Sequence, residues 1–168
     1  MQTLHNKRLN TFLIIALFGL SLTFFGNLYE YVVFIPNLIG LGGMKGLMAF
    51  RAFFVFSNPV YFYIPLGMIG FVSTFIAYAQ IRGRSTKLNK WLKNGTVFGV
   101  ITILLTVIIV TQFNLKLFFG VFPINYSNLP MTLFIYYVIA FIRLIFDGLT
   151  LYRVFRAYNL FISERMSP

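Results

Sequence analysis

Two stretches of this chain, Pro59 to Ile81 and Asn94 to Leu115, each run for more than twenty residues without one charged side chain. That is the length a helix needs to cross ~30 Å of hydrocarbon at 1.5 Å rise per residue. Two further apolar runs, about Thr11 to Ile35 and about Pro130 to Tyr152, are long enough as well, although each carries ionisable residues. Inside lipid, backbone N–H and C=O groups must be paired within the segment, so such spans are helices. None of the four alternates apolar and polar residues as a barrel strand does. The expected fold is all-α: a polytopic membrane four-helix bundle, one domain over residues 1–168.

Composition supports that solvent. Hydrophobic residues make up 59% of the chain and charged residues 10%, against about 25% charged in soluble domains. A small water-soluble globule buries only about two-thirds of the surface its chain exposes, too little to hide this much apolar area. The net charge of +11 does not indicate nucleic acid, because the cations sit in short clusters between apolar runs and form no basic stripe with readout residues. The chain has no cysteine, which excludes disulfides and thiolate metal sites. Its single histidine, His5, lies near the N-terminus, so no haem, zinc or other cofactor is expected within the bilayer.

The cations orient the spans. Lys7 and Arg8 precede the first. Arg82, Arg84, Lys87, Lys90 and Lys93 join the second to the third, and Arg153, Arg156 and Arg165 follow the fourth. The opposite side carries only Lys45, Arg51 and Lys116, so ten face three. The positive-inside rule then places both termini in the cytoplasm, as in a multi-pass protein of a bacterial inner membrane. The first run continues too far, with no small-x-small site after it, for a cleaved signal peptide, and it reads as a retained signal anchor. Trp91, Tyr78, Tyr152 and Tyr158 fall near the inner interface, and Tyr29, Tyr31, Tyr61, Tyr63 and Tyr126 near the outer one, as amphipathic rings prefer. The stretch Ser85 to Lys93 is expected to lie along the inner surface. There Leu88, Trp91 and Leu92 would dip into lipid while Lys87, Lys90 and Lys93 meet anionic headgroups. Between the first two spans, Pro36 to Asn58 begins with a glycine cluster and turns aromatic around Phe50, Phe53, Phe54 and Phe56. That composition predicts a partly helical outer segment folded back on the bundle like a lid. The stretch Leu117 to Pro123 has similar character.

Ionisable residues inside spans are the first candidates for function, because they are costly in lipid and face protein or water. Thr23, Asn27 and Glu30 share one face of the first span by their spacing. Glu30 has the chemistry of a proton acceptor, a cation ligand or a hydrogen-bond partner. The competing structural use is an ion pair with Arg51 or Lys45, or contact with headgroup water. On the fourth span Arg143 and Asp147 are four apart, the spacing of an intramembrane ion pair, and Thr132, Tyr136, Ala140 and Thr150 continue that face. The structural use of this pair is to aim the helix into the bundle. A rise of roughly 15 Å or more is expected between the levels of Glu30 and Arg143, so the two are not expected to pair. Asn58, just before Pro59, has the chemistry of a helix cap. Together with Tyr61 and Tyr63 it is also a candidate for lining a pocket near Glu30. Gly95 and Gly99 form a GxxxG ridge, and Gly19, Thr23 and Gly26 form a second one. Both read as helix packing within the bundle, with homo-oligomerisation as the alternative.

The run Gly26-Asn27-Leu28-Tyr29-Glu30-Tyr31-Val32-Val33-Phe34-Ile35-Pro36, followed by Phe50-Arg51 and Asn58-Pro59, resembles a broad family of small four-helix membrane proteins of bacteria and fungi. That family includes the anthrone oxygenases. The similarity covers the first span, the outer segment and the start of the second span. The resemblance implies cofactor-independent oxidation of a polycyclic phenol, with Glu30 as the catalytic base and Asn27 or Arg51 as its polar partner.

The leading expectation is therefore a membrane protein that binds or oxidises a hydrophobic small molecule near the outer end of the bundle, where Asn27, Glu30 and Arg51 would converge. One alternative is a proton- or cation-coupled small transporter, since small multidrug exporters also place one glutamate on a first helix of four. A further alternative is a structural or assembly subunit.

Overall fold

The computed structural model describes residues 2–40, 44–53, 60–83, 86–117, 119 and 128–166, with side chains from 6 to 164 except at 60–63. Among the described residues the chain is built of helices, with no strand. Helix α1 runs as Gln2–Tyr29, a π-helical turn Glu30–Phe34 and a last stretch Ile35–Gly40. A short α2, Met44–Phe53, follows, then α3, Val60–Ile81. Helix α4 runs as Lys87–Ile109, a second π-helical turn Val110–Asn114 and Leu115–Leu117, and α5 is Leu129–Met166. Four of these helices are long and apolar enough to cross a membrane, so the architecture is that of a multi-pass membrane bundle. The chain turns after α3 at Gly83, whose φ of 87° is a left-handed conformation that side-chain-bearing residues avoid.

The seams of the bundle differ in closeness. Lipid is as apolar as leucine, so helix association relies on packing and on small residues that let backbones approach. On the α1–α3 seam an added Cβ at Gly19 would stand 2.7 Å from Gly70 Cα. On the α4–α5 seam the glycine ridge is occupied within the chain: Gly95 faces Arg153 and Val154, and Gly99 faces Phe71 and Thr150. Helix α1 packs on α5 in antiparallel register, with Phe24 against Gly148. The seam between α3 and α4 is the loosest of the four.

Two apolar cores lie at opposite ends of the bundle. One holds Leu9, Leu13, Leu88, Leu92, Val154 and Phe161 at the basic end. The other holds Ile35, Leu47, Ile109, Leu117 and Leu133 at the far end, with α2 joined through Leu47. Buried polar residues Asn27, Arg143, Asp147 and Thr150 form a layer between them. Long apolar side chains such as Phe18 and Leu104 face outward, 65% and 58% exposed, which is the lipid-facing surface.

Three expectations are corrected. The fourth span was expected to end near Tyr152, yet α5 continues to Met166 and has 38 residues, about 57 Å of helix. Its last turns bury Val154, Ala157 and Phe161 against the start of α1 and α4. That contact explains the second correction. Residues Lys87 to Lys93 do not lie along the membrane surface. They are the first turns of α4, capped by Thr86, whose Oγ1 accepts from the Asn89 N–H at 3.2 Å. Leu88 and Leu92 are buried in the basic-end core rather than in lipid, because α5 offers them a packed partner. The guanidinium groups of Arg153 and Arg156 lie over the Trp91 ring, 4.7 and 5.6 Å from its centre. The third correction is at the other end of α4, where Leu117 is a buried core residue of the helix and not the start of an outer loop. The outer segment is helical at Met44–Phe53, as its composition predicts, while Phe54, Phe56, Pro123 and Tyr126 lie outside the described residues.

Candidate functional site

Glu30 is the first residue of the π turn in α1. Such turns insert one extra residue into the helical ladder, re-aim side chains and recur at functional sites. Both carboxylate oxygens of Glu30 are engaged by α5. Arg143 Nη2 donates to Oε2 at 2.8 Å in an ion pair, and the Tyr136 hydroxyl donates to Oε1. One turn earlier on α1, Asn27 Nδ2 donates to Asp147 Oδ2 at 2.5 Å. Two residues of α1 thus bind three of α5. Arg143 and Asp147 are 3% and 1% exposed, and unpaired they would be expensive in this setting.

This geometry overturns the expected pairing. Arg143 takes Glu30, not Asp147, and the expected height difference between Glu30 and Arg143 is absent. Side chains on a helix lean toward its N-terminus. On α5 that direction carries the Arg143 guanidinium away from Asp147. On the antiparallel α1 it carries Glu30 toward Arg143, so the two reach across one level. A basic residue four before an acidic one is also the weaker order for a pair within one helix. The levels of Glu30 and Arg143 coincide because the first and fourth helices continue beyond their apolar runs, which shifts their mid-points. Tyr136 was legible only as a residue on the Arg143 face, and its bond to Glu30 was not foreseen.

Arg51 does not converge on Glu30. Its Nε donates to Leu117 O at 2.8 Å and its Nη2 to Lys116 O at 3.0 Å. These are carbonyls at the C-terminal end of α4, which a helix leaves without partners of its own. Arg51 is a clamp holding α2 to α4, not a partner for a catalytic base. Arg51→Gln is expected to free α2, and limited proteolysis should cut the segment between α1 and α3 several-fold faster, with the four long helices still protected. Asn58 lies outside the described residues, and so do the side chains of Tyr61 and Tyr63.

A cavity of about 300 Å³ opens beside the polar layer, in the loose seam between α3 and α4. Asn27 and Glu30 of α1, Thr106 and Asn114 of α4 and Arg143 of α5 supply its polar wall. Ile64, Met68 and Val107 stand at the rim, 40%, 49% and 53% exposed, so the mouth opens sideways onto the lipid-facing surface. The π turn of α4 contributes Val110, Thr111 and Asn114, so both π turns border the same space. Asn114 Oδ1, an acceptor, and Arg143 Nε, a donor, are buried with no hydrogen-bond partner among the described residues, and both residues line the cavity. Asn114 was missed in the sequence, where its signal was a polar cluster, Thr111, Gln112 and Asn114, closing an otherwise apolar run.

Fold and site together define a multi-pass membrane helical bundle with a charged layer beside a laterally open cavity. No family model, no curated protein and no solved structure matches the chain.

Proposed function

We propose that the protein binds a hydrophobic small molecule with a hydrogen-bonding head in the cavity between α3 and α4. The observation that carries this reading is the lining itself: Asn27, Glu30, Thr106, Asn114 and Arg143 converge on one side of a cavity whose other side is apolar, with Ile64, Met68, Phe71, Ile103 and Val107. Ligand sites are mostly apolar concavities with a few convergent polar groups. A ligand would enter from the bilayer past Met68 and Val107. The resemblance of Gly26 to Pro36 to the family of the anthrone oxygenases adds a reaction to this binding, the oxidation of a polycyclic phenol by dioxygen, in which Glu30 takes the hydroxyl proton and dioxygen takes the electrons. For that role Glu30 must exchange its bond from Tyr136 for one from the substrate hydroxyl, while Arg143 keeps the carboxylate in place.

Both Glu30 oxygens are engaged, which favours plain binding at this site over a coupled transporter, whose carboxylate must load and release its cargo. The use of the Gly95 and Gly99 ridge within the bundle favours it over an assembly subunit.

The test is thermal stability in mild detergent against quinones, polycyclic phenols and lipophilic cations, for wild type and Glu30→Gln. A ligand that binds only the folded state stabilises it by mass action, by about 2.7 kcal/mol at a hundred times its Kd. Stabilisation of the wild type that is lost in Glu30→Gln is expected for at least one neutral class. Response to lipophilic cations alone would favour the transporter.

The same reading orients the chain with its basic end in the cytoplasm of a bacterial cell. Because the chain has no cysteine, single-cysteine variants report sidedness without background. In intact cells a membrane-impermeant maleimide should label Lys45→Cys and spare Lys90→Cys. The reverse pattern contradicts the orientation.

A further inference from the structure

A second concavity lies at the basic end, between α1 and the last turn of α3, away from the charged layer. It measures about 420 Å³ and is lined by Lys7, Arg8, Thr11 and Phe12 of α1 and Gln80 of α3. We infer that this cleft is a binding site for one anionic phospholipid, held by its phosphate in the leaflet at the basic end.

Charge is the first ground. Lys7 and Arg8 are exposed neighbours on the cleft wall, and neither makes an ion pair among the described residues, Glu164 included. Two unneutralised cations at headgroup level attract an anion, and basic pockets between helices at this level suit lipid phosphates. Arginine and lysine supply charge-assisted donors to phosphate oxygens. The second ground is hydrogen-bonding capacity. Thr11 spends its hydroxyl proton on Lys7 O at 3.1 Å, so its oxygen faces a ligand only as an acceptor. That acceptor suits a headgroup that carries a hydroxyl as well as a phosphate, a glycerol-type head.

The third ground separates a lipid from a free anion. Lys7, Thr11, Ile14 and Phe18 follow one another at spacings of four, three and four, so they form one stripe along α1. Ile14 and Phe18 are 47% and 65% exposed. A phosphate seated at Lys7 and Arg8 therefore has an apolar track directly below it along α1, and Ile76 of α3 is exposed as well. Head and tail contacts are continuous.

The experiment is native mass spectrometry of the full chain in mild detergent, titrated separately with phosphatidylglycerol, phosphatidylcholine and inorganic phosphate. One phosphatidylglycerol should bind at concentrations where phosphatidylcholine does not. Lys7→Gln/Arg8→Gln should weaken that binding about tenfold or more. The control Lys87→Gln/Lys90→Gln removes the same charge from the start of α4 and should leave it within about twofold. If the charge variant does not fold, Thr11→Trp blocks the cleft with the charges kept and should abolish the bound lipid. Three results would overturn the inference. Equal retention of the two lipids means no anionic site. Equal weakening by both charge variants means diffuse surface attraction. Displacement of the lipid by inorganic phosphate at similar concentration means an anion site without a lipid track.

Discussion

Arg143→Met is expected to lower the stability of the folded protein by about 3–5 kcal/mol, the cost of removing one partner from a buried charge pair. Arg143 is the cation between two acids. Its Nη2 holds Glu30, and it lies one turn from Asp147 on the same helix. With methionine there, Glu30 keeps only the Tyr136 hydroxyl and Asp147 only the Asn27 amide. Two carboxylates then remain in an apolar setting without a countercharge. They must protonate or draw water inward, and the tie between α1 and α5 loosens in either case. The measurement is reversible unfolding in mixed micelles, with Glu30→Gln and the double variant completing a cycle. Glu30→Gln/Arg143→Met should be more stable than the sum of the single losses implies, because the two residues share one contact. A loss below about 1 kcal/mol for Arg143→Met, typical of a solvent-screened pair, would show that this layer is wet and not structural.

Gly70→Ala is expected to destabilise at or above the upper end of the range of about 1–3 kcal/mol seen for overpacked interiors. A Cβ at this position would stand 2.7 Å from Leu20 N and 2.8 Å from Gly19 C. Those are backbone atoms and cannot rotate away, so α1 and α3 must move apart along the whole seam. The seam also carries Gly67, where a Cβ would meet Thr23 Oγ1 at 2.7 Å, so separation there disturbs the cavity wall as well. Gly40→Ala is the control. A Cβ added there would have nothing within 4 Å among the described residues, and alanine is the better helix former by up to about 1 kcal/mol. Unfolding midpoints should therefore fall for Gly70→Ala and hold or rise for Gly40→Ala. Equal effects would mean that the α1–α3 contact is looser than its backbone distances imply.

The four spans were legible because the bilayer imposes a length on any predominantly apolar run, and Pro59 to Ile81 satisfies it almost to the residue. Helix ends were less legible. Tyr152 marks where α5 leaves the apolar zone, but the helix continues because Val154, Ala157 and Phe161 find partners on α1 and α4. Only the fold brings those partners together. The same contact withdrew Leu88 and Leu92 from the lipid they were expected to enter. At the site, Asn27, Glu30, Arg143 and Asp147 were all visible as polar residues in apolar runs. Their pairing was not, since it depends on the antiparallel register of α1 and α5 and on the lean of each side chain. Arg51 reads as a partner for Glu30 from its place in the outer segment and from the resemblance, whereas the carbonyls of Lys116 and Leu117 lie far along the chain and compete for it successfully. The two π turns left no trace in residue periodicity.

Filling the cavity tests its role as the ligand site most directly. Thr106 lines the space, and among the described residues its hydroxyl bonds to Thr102 O of its own helix, so Thr106→Phe fills the cavity while Glu30 and Arg143 are kept. The measurement is the thermal shift of wild type and Thr106→Phe against the compound class that stabilises the wild type. A shift in the wild type that disappears in a variant of equal or higher baseline stability is the expected result. An identical shift in both, or none in the wild type with any quinone, phenol or cation, would contradict the assignment of this cavity as the ligand site.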